Sequence, residues 1–192
     1  MTKILIFFLF AINPNLTSQD IIINSFDDHK IHGSLIKHKK LKSDLVVIIP
    51  GSGPTDRNGN NSSIKSDYLK LLTQELYKHE ISSFRYDKRG VAESLGDIKL
   101  ANEIKFQDFV KDVIEIIKYF RQSNHFNSIT LIGHSEGSLI GMIASQTSDV
   151  DKFVSIAGAG EDYLTVIQRQ LSNRAPYTVS YTHLTLPTIC SV

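Results

Sequence analysis

Leu45-Val46-Val47-Ile48-Ile49 is an unbroken apolar run, four of its five residues β-branched, and it stops at Pro50-Gly51. A half-buried strand would alternate apolar with polar residues; this run carries no polar residue for water to meet. It must therefore be covered on both faces, as strands in the middle of a parallel sheet are. The rest of the chain supplies what such a strand needs. Ile21-Ile22-Ile23 and Ile31–Lys37 read as a first pair of strands, and Ser82–Tyr86, Ser128–Ile132 and Lys152–Ala157 as later ones, the last also buried. Between them, Ser66 is placed to cap a helix facing inward through Leu69, Leu72 and Leu76. A second helix, from about Lys105 to Arg121, has the stripe Phe106, Phe109, Val110, Val113, Ile117 and Phe120 at three- and four-residue spacing. A small-residue helix is expected near Ser138–Gln146, and residues 161–172 also read as helical. Strands alternating with helices over residues 19–178 predict an α/β fold of three layers around a mostly parallel sheet.

Composition removes several classes of function. With 41% hydrophobic residues and a net charge of +1 among 192 residues, the chain is neither disordered overall nor shaped for nucleic acid. The lysines of Lys37–Lys42 form only a local cluster. A single cysteine excludes a disulfide scaffold and a cysteine-rich zinc site. No apolar run reaches the roughly 18–20 residues of a spanning helix. The N-terminus has the layout of an export signal: Lys3, then the short apolar stretch Ile4–Ile12, a break at Asn13-Pro14, and the small Ser18 ahead of a cut before Gln19. Residues 1–18 are thus expected to be a signal peptide that sends the protein to a bacterial periplasm or the medium. A buried first strand or helix is the other reading. No cysteine lies near the cut, so no lipid anchor and no stable membrane attachment is expected.

Gly133-His134-Ser135-Glu136-Gly137 carries the chemistry. It has the form G-x-S-x-G, which means little alone but much where a strand ends at Gly133 and a helix begins at Glu136. In that setting Ser135 sits in a strained turn with its hydroxyl above the sheet, and side chains at 133 or 137 would clash. The helix behind Ser135 directs its dipole and the Glu136 backbone N–H at any oxyanion that develops there. An ordinary strand–helix turn with a surface serine is the bland alternative.

Through this elbow the chain resembles the α/β-hydrolase family, most closely its exported serine aminopeptidase and lysophospholipase-like branch. Two further segments carry the likeness. Pro50-Gly51-Ser52-Gly53-Pro54-Thr55-Asp56-Arg57-Asn58-Gly59-Asn60 is similar to the oxyanion loop of secreted bacterial members. Arg85-Tyr86-Asp87-Lys88-Arg89-Gly90-Val91-Ala92-Glu93-Ser94 is similar to their Y-D-x-R-G-x-G-x-S turn, with Ala92 in place of the second Gly. The resemblance implies Ser135 as nucleophile and the backbone N–H groups of Ser52 and Glu136 as the oxyanion hole. It implies no metal or organic cofactor. Asp56, Arg57 and Asp87 read as loop-holding residues, and His134 as pointing away from the nucleophile.

The expected activity is hydrolysis of carboxylic esters through an acyl-enzyme, with a small acyl ester or a peptide as substrate. Peptide hydrolysis of the aminopeptidase kind is the alternative within the class, and a non-catalytic binding protein on the same fold lies outside it. The chain order Ser, then Asp or Glu, then His asks for an acid and a base after Ser135. Only Asp149, Asp151, Glu161, Asp162 and His183 follow it. The two aspartates stand at the start of a strand, the wrong end for this site. Asp162 follows a strand end, though the acid normally comes from a later strand. His183 falls in residues 179–192, whose Val179–Thr188 stretch resembles a translated sequencing-library adapter. The acid and base are accordingly expected outside this sequence, with residues 19–178 the N-terminal part of a hydrolase core and an unassisted 192-residue chain inactive.

Overall fold

The computed structural model describes residues 17–40, 42–96, 103–161 and residues 165, 168, 169 and 172. The chain divides into two compact units, Met1–Gly158 and Ala159–Val192. Within the second, residues 165, 168, 169 and 172 are helical, and Arg169 holds both carboxylate oxygens of Glu161 at 2.8 and 2.7 Å.

The first unit contains the strands β1 (Ser18–Asn24), β2 (Lys30–Ile36), β3 (Ser43–Ile49), β4 (Ser82–Tyr86), β5 (Phe126–His134) and β6 (Lys152–Ile156). Its helices are α1 (Tyr68–Lys78), α2 (Phe106–Ser123) and α3 (Glu136–Ser145). The strands form one sheet in the order β1-β2-β4-β3-β5-β6. The two outer pairings, β1 with β2 and β2 with β4, are antiparallel; β4, β3, β5 and β6 run parallel.

The unbroken apolar run explains the layering. On one face of β3, Leu45, Val47 and Ile49 join Val113, Ile117 and Ile140 of α2 and α3 in the larger core. On the other, Val46 and Ile48 pack with Leu69 of α1 and with Ile132. All five side chains of Leu45–Ile49 are at most 5% exposed, and each such burial contributes about 1.5–3 kcal/mol. The expected three-layer α/β architecture with a mostly parallel sheet is what the chain adopts. The α2 stripe is also as read, widened by Ile116 and by Asp112.

Asp112 is a buried carboxylate in an otherwise apolar face, and its partners explain it. It accepts from Arg89 Nε at 3.1 Å and Nη2 at 2.7 Å, and from the Ser25 hydroxyl. Arg89 also grips Asp27 with Nη1 and Nη2 at 2.6 and 2.8 Å. Burial alone would lower the Arg89 pKa, but the bonds to Asp27 and Asp112 outweigh it and hold the guanidinium above its ordinary value. The cluster ties the β1–β2 turn, the Arg85–Ser94 turn and α2 together.

Two local expectations are corrected. Ser66 does not cap α1. The cap position is Asp67, in a left-handed conformation with no side-chain cap bond, and Ser66 Oγ instead donates to the Gly59 carbonyl at 2.9 Å. The first free N–H groups of α1, those of Leu69 and Lys70, are met by the Asn58 carbonyl at 3.1 and 3.4 Å, so the helix start needs no hydroxyl. Strand β6, expected to be buried, is largely open: Val154 is 43% and Ile156 40% exposed. An apolar strand sequence signals a strand, but only a neighbouring layer buries it.

The Gly-to-Ala exchange at position 92 has a visible consequence. Ala92 has φ +45°, the left-handed region where a Cβ is strained and glycine is favoured. Ala92→Gly is expected to stabilise the protein by about 0.5–1 kcal/mol, raising the melting temperature by about 1–4 °C. A thermal melt that moves down instead would show that the turn is not strained at this residue.

Candidate active site

The site grows out of the pairing of β3 with β5. Ile49 lies opposite Gly133 in the parallel register, so the residues that leave these two strands emerge side by side. On β5 the chain passes through His134 into Ser135, which has φ 54° and ψ −118° and directly precedes α3. The Ser135 N–H donates to the Ile156 carbonyl of β6 at 2.9 Å, anchoring the turn on its other side. Ser135 is half-buried, and its Oγ has no hydrogen-bond partner among the described residues.

Crowding accounts for both motif glycines. A Cβ on Gly133 would come within 2.6 Å of the Gly137 carbonyl carbon and of Ser138 Cα. One on Gly137 would meet the Pro50 oxygen at 2.6 Å and the Ile49 carbonyl carbon at 2.9 Å. These are backbone atoms of α3 and of the end of β3, and they cannot swing aside as a side chain could. Gly137→Ala is expected to destabilise the fold by about 2–3 kcal/mol, as overpacking does, measured by urea denaturation; a change below about 0.5 kcal/mol would contradict this close approach.

The loop after β3 returns to the same place. A Cβ on Gly51 would lie 3.0 Å from His134 Nδ1 and 3.4 Å from Ser135 Cβ, so the Gly51–Ser52 segment runs past the serine. Ser52 is exposed, and neither its N–H nor that of Glu136 has a partner among the described residues. Beyond Ser52 the loop is internally braced: one oxygen of Asp56 accepts the N–H groups of Asn58 and Asn60 at 2.8 and 2.9 Å. Ser52, Ser135 and Glu136 are thus brought to one spot at the ends of β3 and β5, with the α3 N-terminus facing it.

His134 is turned away from that spot, as expected. Its Nδ1 pairs with the Tyr68 hydroxyl at 3.2 Å, and the two rings meet edge to face. Burial, with the Asp56 charge behind it, pushes the Tyr68 phenol above its ordinary pKa. Arg57 and Asp87 hold loops together: Nε and Nη2 of Arg57 donate to Asp87 at 3.0 and 2.6 Å, and Arg57 also pairs with Glu93. They edge a polar cavity of about 350 Å³ that none of Ser52, Ser135 or Glu136 lines.

Asp149 and Asp151 precede β6, at the opposite end from Ser135. Arg121 pairs with both, and Asp151 accepts the Ile129 N–H at 2.7 Å. Asp162 and His183 lie outside the described residues, as do residues 1–16 of the signal reading and the whole of 179–192. Among the described residues no three His, Cys, Asp or Glu side chains converge as metal ligands would.

One contact went unread in the sequence. Lys88 is 3% exposed and donates to the Gly51 carbonyl at 2.5 Å and to Glu136 Oε2 at 3.1 Å. No sequence signal could have found it, because its partners are 37 and 48 residues away.

The sequence profile of the family described as serine aminopeptidase, S33, matches residues 62–181, more than half of the chain. The chain belongs to the serine aminopeptidase S33 family of α/β-hydrolases. Solved structures agree on the fold of this S33 member. An esterase from Pyrococcus furiosus, Pf2001, superimposes with a TM-score of 0.66 at 17% identity, over 84% of this chain and 60% of its own. The α/β-hydrolase GrgF from Penicillium sp. sh18 does so with a TM-score of 0.61 at 17% identity, over 82% and 52%. The esterase EaEST from Exiguobacterium antarcticum gives 0.58 at 20% identity, over 74% and 46%. The S33 chain spans about half the length of these structures. No curated protein matches it.

Proposed function

We propose that the intact protein is an exported serine hydrolase that cleaves carboxylic esters of small substrates through an acyl-enzyme on Ser135. The observation that carries this reading is the Ser135 backbone, φ 54° and ψ −118°, held between two glycines at the end of β5. A surface serine in an ordinary turn has no need of that conformation. In the proposed reaction a histidine, from a segment beyond those described, takes the Ser135 proton as Oγ attacks the acyl carbonyl. The oxyanion is received by the N–H groups of Ser52 and Glu136; it collapses with cleavage of the ester C–O bond, the alcohol leaves with the proton held by the histidine, and water then attacks the acyl-enzyme and releases the acid and Ser135. The half-charge at the α3 N-terminus favours the same oxyanion.

Two of the matched structures are described as esterases, which supports the ester reading. The aminopeptidase description of the family favours peptide hydrolysis as the second reading. A panel of 4-nitrophenyl acyl esters and aminoacyl 4-nitroanilides, assayed on the intact protein, separates the two. Turnover of esters, with anilides at least about 100-fold slower, supports the first; the reverse order installs the second. Absence of both, together with no labelling by a fluorophosphonate, would leave a binding protein on a hydrolase fold.

A further inference from the structure

The buried ammonium of Lys88 is the group that the proposed reaction leaves unused. It lies under the site, bonded to the Gly51 carbonyl and the Glu136 carboxylate, with the Phe109 ring centroid 5.4 Å away. Burying a charge is unfavourable unless each contact is met, and an apolar side chain would fill the same space at less cost. The contacts it makes are therefore informative. Gly51 and Glu136 adjoin or supply the two amides of the proposed oxyanion hole.

The first contact acts through peptide geometry. The C=O of Gly51 and the N–H of Ser52 belong to one planar trans unit and point in opposite directions. Whatever fixes the carbonyl also fixes the amide. We propose that Lys88 is a positioning residue for the oxyanion hole: by holding the Gly51 carbonyl beneath the loop, it aims the Ser52 N–H at the space above Ser135. The inference rests on the hydrolase reading above. The ammonium also polarises the peptide it bonds, so the Ser52 N–H becomes a stronger donor. Its second bond, to Glu136, locks the loop against the first turn of α3, so that the two donors keep a fixed separation. Sequence around Ser52 does nothing comparable: the loop carries Gly51, Gly53 and Pro54, and Gly53 has φ +76° with open space around it.

The test compares Lys88→Met, which keeps the length and loses the donors, with Lys88→Arg, which keeps a cation able to reach the same oxygen. The intact protein is assayed with a 4-nitrophenyl ester and with an alkyl boronic acid that forms a tetrahedral adduct on serine. Lys88→Met is expected to lower kcat by about 100-fold, with KM within about threefold, and to weaken boronic acid binding in step with kcat/KM. Lys88→Arg is expected to recover kcat to within about tenfold of wild type. An active, folded Lys88→Met with kcat within about threefold of wild type overturns the inference, as does a loss confined to KM. If Lys88→Met is unfolded by circular dichroism, Lys88→Gln replaces it in the same comparison. Unfolding of both assigns Lys88 to the core and overturns the inference too. A wild-type protein without Ser135-dependent turnover overturns the hydrolase reading and this inference together.

Discussion

Ser135→Ala in the intact protein is expected to reduce ester turnover by about 10⁴- to 10⁶-fold and to abolish covalent labelling by a fluorophosphonate. The loss is large because the proposed acyl-enzyme has no other place to form. What remains is what the oxyanion donors do for direct attack by water. The fold should not notice the change. Ser135 Oγ bonds to nothing among the described residues, so its removal orphans no partner, and alanine accepts the same backbone as serine does. The melting temperature is expected to stay within about 2 °C of wild type, the range of a substitution that breaks no buried contact. A variant that keeps most of its turnover would move the nucleophile elsewhere; one that unfolds would make the serine a structural residue.

Asp112→Ala is expected to cost about 3–5 kcal/mol of stability, a fall of about 6–20 °C in melting temperature. Both oxygens of Asp112 are committed to Arg89, which is itself 7% exposed. Removing the carboxylate leaves a buried guanidinium with Asp27 as its one remaining anionic partner among the described residues, 41% exposed in its side chain, and the Phe26 ring centroid 5.0 Å away. The Ser25 hydroxyl loses its acceptor at the same time. Replacing both partners, Arg89→Met with Asp112→Leu, should recover much of the loss, since apolar groups of similar size leave no stranded charge. Thermal denaturation of the single and double variants checks this. A single variant within about 1 kcal/mol of wild type would mean that solvent reaches the cluster and screens it.

The architecture was readable wherever a single segment contained its own explanation. The run Leu45–Ile49 required cover on both faces and received it from α1 on one side and from α2 and α3 on the other. Spacing alone placed α2, and the elbow glycines announced themselves because a turn of that tightness excludes a Cβ. Reading failed where the deciding partner lay far away in sequence. Ser66 looked like a cap until the Asn58 carbonyl took over its task. Strand β6 looked buried because its residues are apolar, although nothing in five residues states what covers them. Asp112 interrupts an apolar face and reads as an error until Arg89, 23 residues earlier, is brought to it. Lys88 is the extreme case, an unremarked letter in a turn motif whose contacts depend on the β3–β5 register.

Glycine would be the more comfortable occupant of position 135. A side chain at φ 54° and ψ −118° costs of order 1–3 kcal/mol, and here it returns no hydrogen bond among the described residues. A protein drifting as an inert scaffold has no reason to keep such a residue, because the smallest replacement would raise its stability at once. Ser135 is a standing disadvantage to folding, of the kind proteins carry where function and stability pull in different directions. In the proposed hydrolase, the strain at Ser135 is the folding free energy spent on holding a nucleophile above the sheet.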